Sequence, residues 1–182
     1  MNIFYLDDNV VKCAEYHNDK HVVKMILEYA QLLSTAHRVI DGVEYIDKTA
    51  NGRSIKRWKL YTGDGKEQNL YKATHVNHPS AVWVRQFDNN YRYLFGLFQC
   101  LLKEYTHRYG KKHSCEKLLP YLVDTPRKIP TGYFTQPTPA MPDEYKIGDS
   151  IQSYRAYYIG AKNNMAKWKN RQIPEWWTAA TQ

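Results

Sequence analysis

The chain has 182 residues, of which 43% are hydrophobic. That length suits one domain with a real core and leaves little room for two. Lys and Arg outnumber Asp and Glu by 26 to 18, a net charge of +8, and Tyr alone contributes 16 residues. Excess positive charge interleaved with aromatic rings fits a polyanionic partner with flat bases, and we expect DNA. No run approaches the ~18 apolar residues of a membrane span, so no membrane partner is expected. The three cysteines, Cys13, Cys100 and Cys115, form no CxxC pair, which argues against a disulfide framework and for a reducing, cytoplasmic setting. The opening MNIFYLDDN lacks the basic n-region of a signal peptide.

In chain order, Asp8 or Asn9 can cap a short helix reaching about His17, and a second helix runs from about Asp19 to Ile40, where Asp41-Gly42 stops it. Residues 43–76 differ in character. Asn51-Gly52 and Gly63-Asp64-Gly65 are turn signals among many cations, so a basic loop or small hairpin is expected. His78-Pro79-Ser80 opens a helical segment to Gly110, with Ser80 as its cap and a kink near 88–90. Leu94, Leu97, Phe98, Leu101 and Leu102 form its apolar stripe. A short helix over 114–122 follows, and then a Pro-rich loop over 124–147. Asp149 caps a last helix over 150–167, ahead of a cationic, Trp-containing tail. The expected fold is mainly α, a compact helical single domain over 1–182 with one hairpin excursion.

The second helix carries the chemistry. His17, His21, Lys24, Glu28, Gln31, Thr35 and Arg38 recur at spacings of four and three, which keeps them on one face. Nearly every other position is apolar, as in a buried helix. Buried charge is costly unless paired or used. Lys24 and Glu28 at i, i+4 could neutralise each other within a structural network. Alternatively the line is the floor of a cleft in which burial tunes acid and amine groups. His17 and His21 at i, i+4 could also share a divalent ion, with Asp19, Glu28 or His78 as third ligand, giving a metal-dependent nuclease. No CxxC or other Cys/His motif accompanies them.

Asp19-Lys20-His21 followed by Glu28 resembles the first long helix of the bacteriophage pyrimidine-dimer DNA glycosylase family, where an Asp-Gln-His triplet precedes an essential Glu at the same spacing. The opening HPSAVWV and basic end KEYTHRYG of the 78–110 segment resemble that family's second long helix. The tail with Lys167, Trp168 and Lys169 resembles its aromatic-basic C-terminus. The stretch DKHVVKMILEYAQLLSTAHR also looks like other phage proteins, so a phage origin and a host cytoplasm are expected. The resemblance implies an all-α glycosylase that needs no cofactor or metal. Its N-terminal amine attacks C1′ of the damaged nucleotide, a Schiff base forms, and β-elimination cuts the strand. Carried over, Glu28 positions the amine and stabilises the sugar cation, and His21 binds DNA or assists proton transfer. Residue 2 is Asn where the family has a small residue exposed by Met removal, so Met1 itself supplies the amine. The Arg three residues beyond the family's Glu is Gln31 here. An α-amine has a reference pKa of about 8, leaving some free base at neutral pH. Lys24, one turn before Glu28 and desolvated on a buried helix, is an alternative nucleophile, and a lyase-free glycosylase would have Glu28 activate water.

DNA contacts are expected from Arg53, Lys56, Arg57 and Lys59 around Trp58, and from Lys162, Lys167, Lys169 and Arg171 around Trp168. His17, Gln31, Arg38, His78, Arg85 and Tyr91 are read as facing the same cleft. The duplex would be damaged or modified, because an enzyme acting on a base must expose it. A non-catalytic phage protein that binds nucleic acid or a host protein is the alternative of a different class.

Overall fold

The computed structural model describes residues 1–182. Residues 2–7 form neither helix nor strand, and Ile3, Phe4, Tyr5 and Leu6 are all buried. Helix α1 spans Val10–Tyr16, and Asn9 caps it by accepting the Val11 and Lys12 N–H groups. Helix α2 spans Asp19–Asp41 and is capped by Asn18, whose side chain accepts the His21 N–H. Strands β1 (Val43–Lys48) and β2 (Ser54–Lys59) form the expected hairpin, paired antiparallel from Val43↔Lys59 to Lys48↔Ser54. Gly52 takes φ +80 in its turn. Helices α3 (Pro79–Gln86) and α4 (Asp88–Tyr109) follow, then α5 (Leu119–Leu122), α6 (Ser150–Ala161) and α7 (Glu175–Thr181).

Helices α2, α3 and α4 pack mutually, and α1 lies on α4. One contiguous core reaches from Ile3 to Trp177. The stripe Leu94, Leu97, Phe98, Leu101 and Leu102 lies within it, as its periodicity predicts. The 124–147 segment is an ordered strap. The Trp83 indole N–H donates to Thr135, Asn90 exchanges hydrogen bonds with Thr135, and Asp88 accepts the Gly132 N–H.

Several local expectations are corrected. His78, not Ser80, caps α3, its Nδ1 accepting the Ser80 N–H. Pro79 lacks an N–H and fits the first helical position, which moves the cap upstream. The expected kink at 88–90 is a full break at Phe87, whose backbone is extended (φ −143, ψ 150). The last helix stops at Ala161 rather than 167, and Pro174 precedes an additional short helix. Gly42 does end α2, but at φ −81 rather than in the left-handed region. A Cβ there would sit 2.9 Å from the Lys59 carbonyl oxygen and closer still to that of Arg38, so the position needs close approach, not a positive φ. Helix α2 is also not buried all round. Its first half exposes Lys20, Val23, Lys24 and Leu27, and only its second half is enclosed.

Enclosure of that second half comes from the excursion itself. Arg38 is 3% exposed. Its guanidinium donates to the carbonyls of Tyr71, Trp58, Gln68 and Leu70 and pairs with Glu67 at 3.0 Å. A guanidinium has five donors in a fixed fork and can hold several carbonyls at once. Arg38 therefore fastens the hairpin and residues 67–71 to α2 and has no face left for DNA. Replacing it by Met keeps the aliphatic stem but leaves those carbonyls unpaired. Arg38→Met should lower unfolding free energy by about 3 kcal/mol and speed amide exchange in the hairpin first. An unchanged denaturation midpoint would contradict this assignment.

Candidate active site

The start of the chain reaches α2. The Met1 α-amine lies 3.4 Å from Glu28 Oε2, and Lys24 Nζ lies 3.4 Å from Glu28 Oε1. The Glu28 side chain is 15% exposed and the Met1 side chain 5%, whereas Lys24 is 69% exposed. The carboxylate is thus reachable from solvent and held between a sheltered amine and a mobile one. Lys24 is not desolvated, which removes the basis for reading it as an activated nucleophile.

What aims the amine is the buried segment behind it. The Phe4 N–H donates to the Tyr29 hydroxyl at 3.1 Å, and the Cys13 thiol donates to the Phe4 carbonyl. The Phe4 ring stacks on His21 with centroids 4.2 Å apart. His21 Nδ1 is 2.6 Å from the Tyr158 hydroxyl. His21 and Glu28, two turns apart, thus act on the same segment from one helix face: His21 holds Phe4 and Glu28 meets the amine.

Burial, with help from His17, Lys162 and Lys24, pushes the His21 pKa down to about 3, so the ring is neutral at physiological pH. It is 5% exposed and serves as a packing and positioning group. Neither the DNA contact nor the proton transfer expected of it fits that burial. His17 is not on α2 at all but is the residue after α1. It is fully buried, with Nδ1 2.7 Å from the Cys13 carbonyl and Nε2 2.8 Å from the Tyr29 hydroxyl. Burial lowers its pKa to about 4. With both ring nitrogens engaged, His17 contributes neither a DNA contact nor a metal ligand. No group of three His, Cys, Asp or Glu side chains converges in a geometry suited to a metal ion.

The charge of the Met1 amine acts on His78. Burial first, then the charge of the Met1 amine, lowers its pKa, with Glu28 opposing. Its Nδ1 is used in capping α3, so in the neutral ring the proton sits on Nε2. Arg85 is turned inward, donating to the Val76 and Ala81 carbonyls. Tyr91 is fully buried, bonded to His37 and to the Leu122 carbonyl, and faces no cleft. Trp168 is 7% exposed and donates to the Tyr16 carbonyl, so it anchors the tail and does not form a stacking surface. Lys167 and Lys169 beside it remain exposed, near the N-terminus of α2. Arg53 and Lys56 are exposed and Arg57 half-buried on the hairpin, and Gln31 lies below them. The largest concavity is lined by Gln31 but by neither Met1 nor Glu28. Residues 3–6, Tyr29 and Tyr158 were not singled out from the sequence. The apolar run IFYL was the signal for the first of these, since a short apolar run is a candidate buried strand.

A family model described as pyrimidine dimer DNA glycosylase matches residues 1–117. No curated protein and no solved structure shows a significant match. No helix is long and apolar enough to cross a membrane.

The two buried imidazoles fix a pH dependence. Each takes up a proton in the unfolded chain near pH 6.5 but in the folded one only near 4 or 3. Stability from the neutral rings is therefore complete above about pH 6.5 and falls as pH drops toward 4, by about 1.4 kcal/mol per pH unit for each proton. His21→Gln should flatten that slope by about one proton in denaturation measured from pH 7 to 4. A slope identical to wild type would contradict the buried neutral ring.

Proposed function

The chain belongs to the pyrimidine dimer DNA glycosylase family, and on that premise we propose that it excises a damaged pyrimidine from double-stranded DNA and then cleaves the strand as an AP lyase, with the Met1 α-amine as nucleophile and Glu28 as its acid-base partner. The observation that carries this reading is the 3.4 Å separation between that amine and the Glu28 carboxylate. Glu28 accepts a proton from the ammonium and frees the lone pair. Nitrogen attacks C1′ as the C1′–base bond breaks, and the departing base takes the proton that Glu28 had accepted. The C1′–O4′ bond then opens, O4′ taking a proton from the nitrogen, and the iminium forms. Loss of a C2′ proton then breaks the C3′–O3′ bond and releases the 3′ side of the strand. Glu28 also faces the positive charge that develops at C1′, where a fixed carboxylate is most useful.

Several features support the amine over the alternatives. Lys24 is solvated, and an exposed amine keeps no special reactivity. A His17–His21 metal centre is opposed by the hydrogen bonds of His17. A pure binding module would have no use for a chain start held against a carboxylate.

Borohydride reduction of the protein on a duplex with an abasic site should yield a covalent adduct that maps to the N-terminal peptide. Glu28→Gln should keep the melting temperature and slow strand cleavage by about 10²-fold or more. Lys24→Ala should still trap, and activity should survive a chelator. An extra residue before Met1 should abolish trapping by displacing the amine. An adduct on Lys24, or full activity in Glu28→Gln, would sink the assignment.

A further inference from the structure

The largest concavity, of about 1120 Å³, lies between β2 and residues 71–77. Gln31 is in its floor, Arg53, Lys56 and Arg57 rise from the hairpin, and Lys72 and His75 stand on the opposite wall. Drug-sized ligands occupy clefts of roughly 300–1000 Å³ with mainly apolar walls. This groove is larger and open, and most of its lining residues are polar or charged even though apolar atoms make up the larger part of its surface, which suits a segment of polymer longer than one nucleotide. Its charge is positive after internal pairing. Lys56 is neutralised by Glu44 at 2.9 Å and Arg57 by Asp47 at 3.5 Å, but Arg53 and Lys72, one on each wall, pair with no carboxylate.

The walls are fixed, not floating. Arg38 ties the hairpin side to α2. The Thr74 N–H donates to Thr35 Oγ1 at 3.2 Å, which pins the other side one turn beyond Gln31. His75 adopts a left-handed backbone (φ +48), and its carbonyl accepts the His78 N–H, so the chain turns there toward the α3 cap. Two of the lining residues neighbour the candidate site along the chain. Gln31 is three residues past Glu28, about 4.5 Å along the helix, and Asn77 precedes His78.

We propose that this groove is a one-sided phosphodiester track, binding the DNA backbone on one flank of the target nucleotide and delivering it to the Met1–Glu28 pair. The inference rests on the DNA reading above, and it predicts an asymmetry that a generally basic surface would not produce. Binding depends on nucleotides on one flank of the target and hardly on the other, with Arg53 and Lys72 responsible.

The test uses full-length protein and duplexes with an abasic site set at increasing distances from either end, read by fluorescence anisotropy without reductant. For wild type, shortening one flank should weaken binding about tenfold, and shortening the other should matter little. Arg53→Ala/Lys72→Ala, both at exposed positions, should weaken binding to the long duplex about tenfold. It should also reduce the slope of log affinity against log salt by about 2 and abolish the flank asymmetry, with an unchanged melting temperature. Equal dependence on both flanks in wild type, or an unchanged salt slope in the double variant, would overturn the proposal. If wild type shows the asymmetry but traps no adduct, the amine mechanism fails and the track stands. Trapping with an unaltered slope gives the reverse.

Discussion

Everything at the candidate site depends on the burial of residues 3–6. Chain ends ordinarily fray. Here Ile3 and Leu6 have no exposed surface, and Phe4 and Tyr5 almost none. The backbone of Phe4 is bonded on both sides, to Tyr29 and to Cys13. Fixing a residue's backbone costs about 1–2 kcal/mol, while burying a large apolar side chain returns about 1.5–3 kcal/mol. Four such side chains in sequence are therefore enough to hold an end that polar residues would leave loose. The result is an amine whose position relative to Glu28 is set by the packed core. Orientation achieved before substrate arrives is a main source of catalytic advantage.

The polar line along α2 resolves into consecutive segments with different duties. His21 packs on Phe4 and holds the chain start. Lys24 lies in solvent. Glu28 meets the amine, Gln31 floors the groove, and Thr35 and Arg38 anchor the excursion. Along part of its length that line is a structural network, and at Glu28 it meets the chain start. One helix serves both because its first half is amphipathic and its second half is covered by the 43–76 excursion. A single surface therefore relates the amine, the groove and the hairpin rigidly.

Much of this was legible beforehand. The end of α2 follows from Gly42, the hairpin from Asn51-Gly52, and the place of Glu28 on one polar line from its spacing with His21 and Lys24. Other features were hidden for physical reasons. Periodicity places His17 on the α2 face, but α1 ends at Tyr16 and α2 starts only after its Asn18 cap, so spacing across the break carries no geometry. A cation in a basic stretch reads as a phosphate ligand, whereas Arg38 found carbonyls offered by an irregular segment 20–33 residues away. Trp168 reads as a stacking platform because its neighbours are lysines. The indole instead turned inward onto Trp177 while the lysines stayed in water. In each case a long-range partner decided the role, and local pattern does not encode such partners.

The two amines at Glu28 are not equivalent, and the difference lies in their surroundings. Both stand 3.4 Å from a carboxylate oxygen. An exposed ion pair is worth about 0–1 kcal/mol and is further weakened by salt, so Lys24 can leave Glu28 at little cost. The Met1 amine cannot withdraw without pulling Ile3 and Phe4 out of the core. A nucleophile must stay within near-attack distance while its target nucleotide is seated. Of the two nitrogens, only the one tethered by buried side chains is held in this way, and the free energy of folding itself sets its position against Glu28.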